Sequence, residues 1–520
     1  MASGHGQLFF NPWMNYPEGW NLSTTDTALA SALPGVLFSV FLGPIAGYNF
    51  AMLITFVLSG FFMYLWVKDL TNNEGAALIA GTMFAFLPYR TAHFLAGHLN
   101  LSGTQWFPLY FYGVYHLLKS GQKFSLKWIL VTVFAVGAIG FTSMYYLYMT
   151  LILSIVFVGA YLLFSKFDIL SKKYFWLNMA CTMLLSVPLL VASIKPFIDL
   201  SHTGVIVERA LEYVSTYSAS PTDFFLPASS HFIFGKIVGQ YFNRDLWIEG
   251  SLYLSVTGII LSLVALFACR HSEKKPLIYA AWICVIVSII LSLGINLHWN
   301  NENVIWKVPD LIRPWIGQEQ TYIYLPSYWL FFHLPFFNSM RAIMRFGVFA
   351  LVFIPVLSGF GFQWIQRKFS AKISALFTVL ILGLLLFEFY PGSYANQLSE
   401  PAPREVDLWL AAQPDQGVVV QFPIQESSDV SQTFYTMFYN KPFVGGFFNA
   451  YTPVQFSAIE STLSNFPDEG SIDLLKKLFV KYMVVDSSAY PNFNEIQEKM
   501  DSYGLVLLTI KNNEYVFSFK

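Results

Sequence analysis

Residues 81–109 read GTMFAFLPYRTAHFLAGHLNLSGTQWFPL. An apolar run gives way to Arg90, His93 and His98, and a second apolar run begins at Leu101. Runs like the two flanks recur from residue 45 to residue 390. A bilayer core of about 30 Å takes roughly 20 apolar residues per helix. On that measure ten stretches read as spans: 46–66, 75–88, 101–118, 128–142, 144–164, 174–194, 251–268, 277–294, 346–364 and 373–390. Two of them, 75–88 and 128–142, are short. Residues 28–43, ALASALPGVLFSVFLG, are apolar but interrupted by Pro34, and read as an interfacial or re-entrant helix.

Composition points the same way. Of 520 residues 55% are hydrophobic and only 12% charged, with mean hydropathy +0.51, whereas soluble domains carry about 25% charged residues. The net charge of −1 provides no basic field for nucleic acid. Cys181, Cys269 and Cys284 lie in or beside apolar runs without CxxC spacing, which argues against a disulfide framework or a zinc site.

The short loops set an orientation. Lys68, then Lys119, Lys123 and Lys127, then Lys166, Lys172 and Lys173, then Arg270, Lys274 and Lys275, then Arg367, Lys368 and Lys372 all fall on one side if the spans alternate. The positive-inside rule makes that side cytoplasmic. Residues 1–27, 89–100, 195–249, 295–344 and everything after 391 then face outward. His5, His93, His98, His202, His231, His298 and His333 are on that outer face. MASGHGQLFFNPW lacks the charged and apolar regions of a signal peptide. The expectation is that a first span precedes it, the alternative being a short tail carried across by the first span.

The pattern changes after Pro391. PREVDLWLAAQPDQG reads as a helix and turn, VVVQFP (418–423) and YMVVD (482–486) as strands, and KPFVGGFF (441–448) as a tight turn or close backbone approach. DLLKKLF reads as a helix, NFNEIQEKMDSYG as a helix capped by Gly504, and LVLLTI–KNNE–YVFSF as a closing hairpin. The expected organisation is an outer loop and interfacial helix over 1–45, a transmembrane helical domain over 46–390, and a small α/β domain over 391–520. No phosphate-binding glycine loop follows either strand, which argues against nucleotide binding, and no HExxH, P-loop or EF-hand pattern occurs.

Candidate chemistry collects on the outer face. Glu18 and Asp26, in NPWMNYPEGWNLSTTD (11–26), suit a general base or a metal ligand. The structural alternative is a turn acid at Glu18 and a cap of the following helix at Asp26. Arg90 and His93 are three apart and share a helix face. With His98 they suit an anion such as phosphate, against interfacial snorkelling and hydrogen-bonded histidines. Arg341 and Arg345 in RAIMRF suit a phosphate or a helix anchor. Asp223, His231 and Glu249 are further outer-face polar positions, read as structural before functional.

Pieces spread along the chain resemble the bacterial multi-spanning proteins of the GT-C glycosyltransferase superfamily. They are NPWMNYPEGW, GPIAGYNFAMLITFVLSGFFMYL (43–65), the opening stretch, SASPTDFFLPASSHFIFG (218–235) and IEGSLYLSVTGI (248–259). LPFFNSMRAIMRFGVFAL (334–351), WLAAQPDQGVVVQFP (409–423), YTMFYNKPFVGGFF (435–448) and LFVKYMVVD (478–486) follow. The resemblance implies an α-helical polytopic bundle with the α/β domain as an extracytoplasmic cap. It implies hexosyl or pentosyl transfer from a polyprenyl-phosphate-linked donor, usually with inversion, to a glycan, lipid or protein acceptor outside the cytoplasmic membrane. No cofactor is required, a divalent metal being optional, and the partners are membrane lipid and carrier lipid, not nucleic acid. The family's catalytic acid lies soon after its first span, which this chain is expected to lack, so Asp26 and Glu18 are its candidates without a direct match. Arg90, His93 and His98 match the family's outer Arg-His-His pattern as donor-phosphate ligands. Competing readings are a catalytically inactive assembly or binding protein and a lipid-carrier transporter. The near absence of mid-span charge argues against the transporter.

Overall fold

The computed structural model describes residues 9–22, 26, 28–202, 208–268, 272–392, 402–424, 426–448 and 451–520. His5, Cys269 and Arg270 lie outside these residues. The chain forms two compact units, Asp26–Leu398, and Met1–Thr25 together with Ser399–Lys520.

The first unit is helical. Six of its described helices are long and apolar enough to cross a membrane: Leu29–Thr71, Met144–Phe164, Lys173–Ser201, Lys275–Ser292, Ile343–Gln366 and Ala371–Phe389. These match six of the ten expected spans. The other four are shorter helices, Glu74–Ala85 with 12 residues, Trp106–Lys119 with 14, Leu126–Gly140 with 15 and Val256–Ala268 with 13. Burial explains the first of these. Ala76, Ala77, Ile79, Ala80, Met83 and Phe84 lie inside the bundle, so its apolarity serves helix packing, and a helix enclosed by protein need not match the bilayer in length. Gly347–Gln366 is buried from Gly347 to Phe362. It is the bundle's centre. Lys173–Ser201, by contrast, leaves Met183, Leu184, Val187 and Val191 exposed, a face suited to lipid tails.

Leu29–Thr71 is not one rod. A Cβ built on Gly35 would lie 2.2 Å from the Gly47 carbonyl oxygen, and one on Gly47 would lie 2.5 Å from the Gly35 carbonyl oxygen. Twelve residues along a straight helix span about 18 Å, so the chain doubles back. It turns at Gly43, whose φ of 84° and ψ of 167° leave the helical region and favour glycine. Phe38 then stacks on Phe50 with ring centroids 4.4 Å apart. Residues 29–42 are therefore one arm of a hairpin, about 21 Å long, too short to span alone.

The second unit holds a four-stranded sheet. Its order is Val418–Phe422, Val480–Asp486, Glu514–Phe519, Leu505–Lys511. The first pair is parallel and the other two antiparallel. The hairpin turns at Asn512, whose φ is 56°. Residues 441–448 run beside the first strand: the Val419 amide donates to the Pro442 carbonyl at 2.8 Å and the Val444 amide to the Val419 carbonyl at 3.0 Å. The N-terminal segment pairs onward from there. The Phe443 amide donates to the Trp13 carbonyl at 3.0 Å, the Tyr16 amide to the Phe443 carbonyl at 3.1 Å, and the Asn15 amide to the Gly445 carbonyl at 2.9 Å. Met14 and Trp20 join the core of Val420, Phe422, Phe448 and Phe456. The expected boundaries at 45 and 391 are thus redrawn: residues 9–22 belong with the α/β unit, because that is where their backbone hydrogen bonds and apolar side chains find partners.

Candidate functional site

The segment that opened the reading is a short helix, Pro88–Leu95. Pro88 suits a first helical position, where no amide partner is needed. Gly97, with φ of 69°, ends it, and the His98 amide donates back to the His93 carbonyl at 2.9 Å. Arg90 and His93 are both buried, but they serve different surroundings.

Arg90 is a staple between helices. Its Nε donates to the Ala85 carbonyl at 3.1 Å and Nη1 to the Ser102 carbonyl at 2.8 Å. Nη1 also donates to the Thr104 hydroxyl, and Nη2 to the Thr55 hydroxyl at 3.0 Å. The guanidinium lies 4.7 Å over the Phe56 ring. Four of its five N–H donors are thereby committed to the protein. One N–H donor is left for the donor phosphate that the sequence reading assigned to Arg90.

His93 turns to a charged cluster. Its Nδ1 lies 3.0 Å from Nδ1 of His98, so one ring donates and the other accepts. Its Nε2 lies 3.8 Å from Oε2 of Glu249. Glu249 receives a two-pronged ion pair from Arg345, with Nε at 2.9 Å and Nη2 at 2.5 Å, and both side chains are buried. The Arg345 guanidinium lies 5.0 Å over Tyr145, and that of Arg341 4.7 Å over Tyr217. Arg341 is half-buried, and among the described residues it forms no ion pair. Tyr89 backs the cluster, its ring 4.3 Å from that of His93 and its hydroxyl donating to Tyr146 at 2.9 Å. Tyr146 in turn donates to the Leu101 carbonyl at 2.7 Å.

Electrostatics follow from burial. Burial pushes the His93 imidazole down to about 3 despite Glu249, and lowers His98 as well. Burial alone would raise the Glu249 carboxyl, but the charge and hydrogen bonds of Arg345 outweigh it and hold Glu249 below its ordinary range. At neutral pH the cluster is therefore a neutral imidazole pair, one closed ion pair and the extra cation of Arg341.

The two candidate acids lie apart. Asp26 caps a helix, though not the one that follows it. Its Oδ1 accepts from the Met144 amide at 2.9 Å, and its Oδ2 from the Ser143 hydroxyl at 2.6 Å and the Asn100 amide at 3.3 Å. A carboxylate suits the positive end of Met144–Phe164. Asp26 stays half-buried, two residues from His98 by way of Asn100. Glu18 is exposed on the turn between Asn11 and Trp20, in the other unit, and no observation ties it to this cluster. Asp223 and His231 serve structure: Asp223 accepts from Arg244 at 2.7 Å, and His231 Nε2 donates to the Phe387 carbonyl at 2.9 Å. Burial raises the Asp223 carboxyl to about 6 against the pull of Arg244. Among the described residues no three His, Cys, Asp or Glu side chains gather as a metal site.

Glu249, read from the sequence as structural before functional, is the carboxylate at the centre of this cluster. Its signal is an acid inside the apolar run LWIEGSLYL, which requires a cation once buried. The partner stands 96 positions away, beyond the reach of any local pattern.

Comparison with solved structures places the fold. The chain is similar over its whole length to the archaeal oligosaccharyltransferase AglB from Archaeoglobus fulgidus, solved with an inhibitory peptide and a dolichol-phosphate, at 12% identity, 68% of that chain and a TM-score of 0.52. The apo form of the Archaeoglobus fulgidus oligosaccharyltransferase is similar at 13% identity, over 100% of this chain and 69% of that one, with a TM-score of 0.52. At these identities the likeness shows the fold alone, and it supports the GT-C-like architecture expected from the sequence. No curated protein matches. The family described as a domain of unknown function, DUF6311, matches residues 2–318, a stretch that takes in Asp26, Arg90, His93, His98 and Glu249 and stops before Arg341. This membrane chain belongs to the DUF6311 family.

Proposed function

We propose that the protein is a membrane glycosyltransferase that takes a sugar from a polyprenyl-phosphate-linked donor and transfers it on the extracytoplasmic face. The observation that carries this reading is the gathering of His93, His98, Arg341 and Arg345 around Glu249 at one end of a membrane bundle, with Arg341 in no ion pair among the described residues. A carrier lipid keeps its tail among the helices and its phosphate at that depth. Arg341, with the Arg345 fork beside it, would hold the phosphate and stabilise it as it leaves. The fold likeness to an oligosaccharyltransferase solved with a dolichol-phosphate supports the same class of donor. Asp26 is the acid best placed to take the acceptor's proton, since it remains half-buried at that end of the bundle. The basic loops at the opposite helix ends support the orientation.

A second reading is a carrier-lipid-binding protein without transfer activity. It is favoured by the full set of hydrogen bonds on Asp26 and the ion pair on Glu249, which leave no carboxylate of the cluster free.

The test uses the full chain in nanodiscs with a radiolabelled undecaprenyl-phosphate sugar, followed for binding and for transfer to added acceptors. Arg341→Ala should weaken binding about ten- to 150-fold, the loss of one charge-assisted contact, with melting unchanged. Asp26→Asn should retain binding and lose transfer. Binding without transfer by the wild type across acceptor classes favours the second reading, and no binding refutes both.

A further inference from the structure

The ion pair of Glu249 and Arg345 leaves one buried atom unexplained. His93 Nε2 is enclosed and makes no hydrogen bond among the described residues, although it faces Glu249 Oε2 at 3.8 Å. Neither tautomer satisfies it. With the proton on Nδ1, donated to His98, Nε2 presents a lone pair to a carboxylate. With the proton on Nε2, the N–H stops about 1 Å short of the 2.7–2.9 Å of a charge-assisted bond. Buried polar atoms are normally paired, and an exception calls for a reason.

A small movement supplies one. Shifting the Glu249 carboxylate by about 1 Å would pair it with His93, provided His93 carried a proton and Arg345 had another anion. We propose that Glu249 is an exchangeable counter-ion, which neutralises Arg345 in the ligand-free protein and passes to His93 Nε2 when a phosphate group takes Arg345. The inference rests on the donor-phosphate reading above and adds how that site is opened.

The balance closes. Before binding, Glu249 and Arg345 cancel and His93 is neutral. After binding, a phosphodiester of single negative charge cancels Arg345, and Glu249 cancels a protonated His93. One proton is taken up per diester bound, and the only covalent bond formed is the second N–H of the His93 ring. The proton enters from water through His98, half-buried and already hydrogen-bonded to His93. The groups acting on His93 from the surrounding elements are Glu249, Arg345 and His98, with Arg341 acting on His98 and Glu249. Tyr89 packs beside His93 and hydrogen-bonds onward to Tyr146.

The experiment is calorimetry of the purified full chain with farnesyl methyl phosphodiester, whose charge does not change near neutral pH, in two buffers of different protonation enthalpy. The wild type should take up about one proton per diester, and its affinity should fall about tenfold for each unit rise in pH. His93→Asn should bind without the uptake. Glu249→Gln should also bind without uptake, at least tenfold more tightly at the upper end of the pH range, and the diester should raise its melting temperature more than that of the wild type. The wild-type proton count stands even if neither variant folds. Wild-type binding with no proton uptake overturns the exchange and leaves the donor reading intact. Uptake that survives in His93→Asn overturns His93 as the acceptor. No binding by either wild type or Glu249→Gln overturns the donor reading and the exchange together.

Discussion

Replacing Arg90 by alanine should damage the fold and spare the ligand. The guanidinium makes four hydrogen bonds to two carbonyls and two hydroxyls drawn from three parts of the chain, and it is buried. A hydrogen bond to a charged group contributes about 1.5–3 kcal/mol, so the four would sum to far more than a single substitution normally costs. Water entering the vacated space would satisfy part of the loss, and Thr55 and Thr104 can turn to other acceptors. A net cost of about 3–5 kcal/mol is the expectation, in line with removing one member of a buried charged set. That corresponds to a fall of roughly 5–10 °C in melting temperature. Arg90→Lys should recover little, because a point charge cannot reach four acceptors arranged for a planar fork. The assay pairs detergent melting with donor binding by the folded fraction of each variant. Melting should drop while the remaining folded protein binds within about twofold of wild type, a difference of about 0.4 kcal/mol. Normal melting with binding lost would refute the staple and restore Arg90 to the phosphate.

Trp20→Ala should cost about 3–5 kcal/mol, because Trp20 packs on Phe448 and Tyr451 at ring distances of 4.9 and 5.1 Å. Hydrogen exchange at residues 441–448 should rise, and unchanged exchange there would refute the placing of residues 9–22 in the α/β unit. Gly47→Leu should destabilise the hairpin by about 1–3 kcal/mol, since its Cβ meets backbone at Gly35; melting at wild-type temperature would refute the doubling back. Asp415 is held at about 2, chiefly by its hydrogen bond from Lys481 and further by Tyr482, against a weaker opposing effect of burial. Its folded value lies below its ordinary 3.8, so its contribution is present above about pH 4 and is lost as pH falls through about 2. Protection of strand Val480–Asp486 should decline over that window in the wild type, and the decline should be shallower in Asp415→Asn. Equal slopes would refute the assignment.

How much was legible depended on range. Long apolar runs identified helices because burial in lipid or protein demands apolar residues whatever their neighbours. They did not separate a span from a core helix, and Glu74–Ala85 shows why: its alanines and Ile79 answer to other helices. The strands at 418 and 482 were readable from short apolar runs, and the closing hairpin from Asn512 and Asn513. The partnership of residues 13–16 with 443–445 was not, since nothing local encodes a pairing across the chain. The same limit shaped the site. Of the residues expected at the site, His93, His98 and Arg345 lie together around Glu249. Arg90 shares their segment and faces elsewhere, because the fate of a guanidinium is set by acceptors at 55, 85, 102 and 104 that a linear reading does not bring together.

The α/β unit draws on both ends of the chain, with residues 9–22 and 402–520 in one core. A globular core cannot straddle a bilayer, because its polar backbone and side chains would face hydrocarbon. Residues 9–22 and 402–520 are therefore expected on the same side of the membrane. An even number of crossings between them is the matching expectation, whichever short helices take part. Any insertion or deletion that adds or removes a single crossing would put the two halves of the sheet-bearing core in different compartments, where no folding pathway can reunite them.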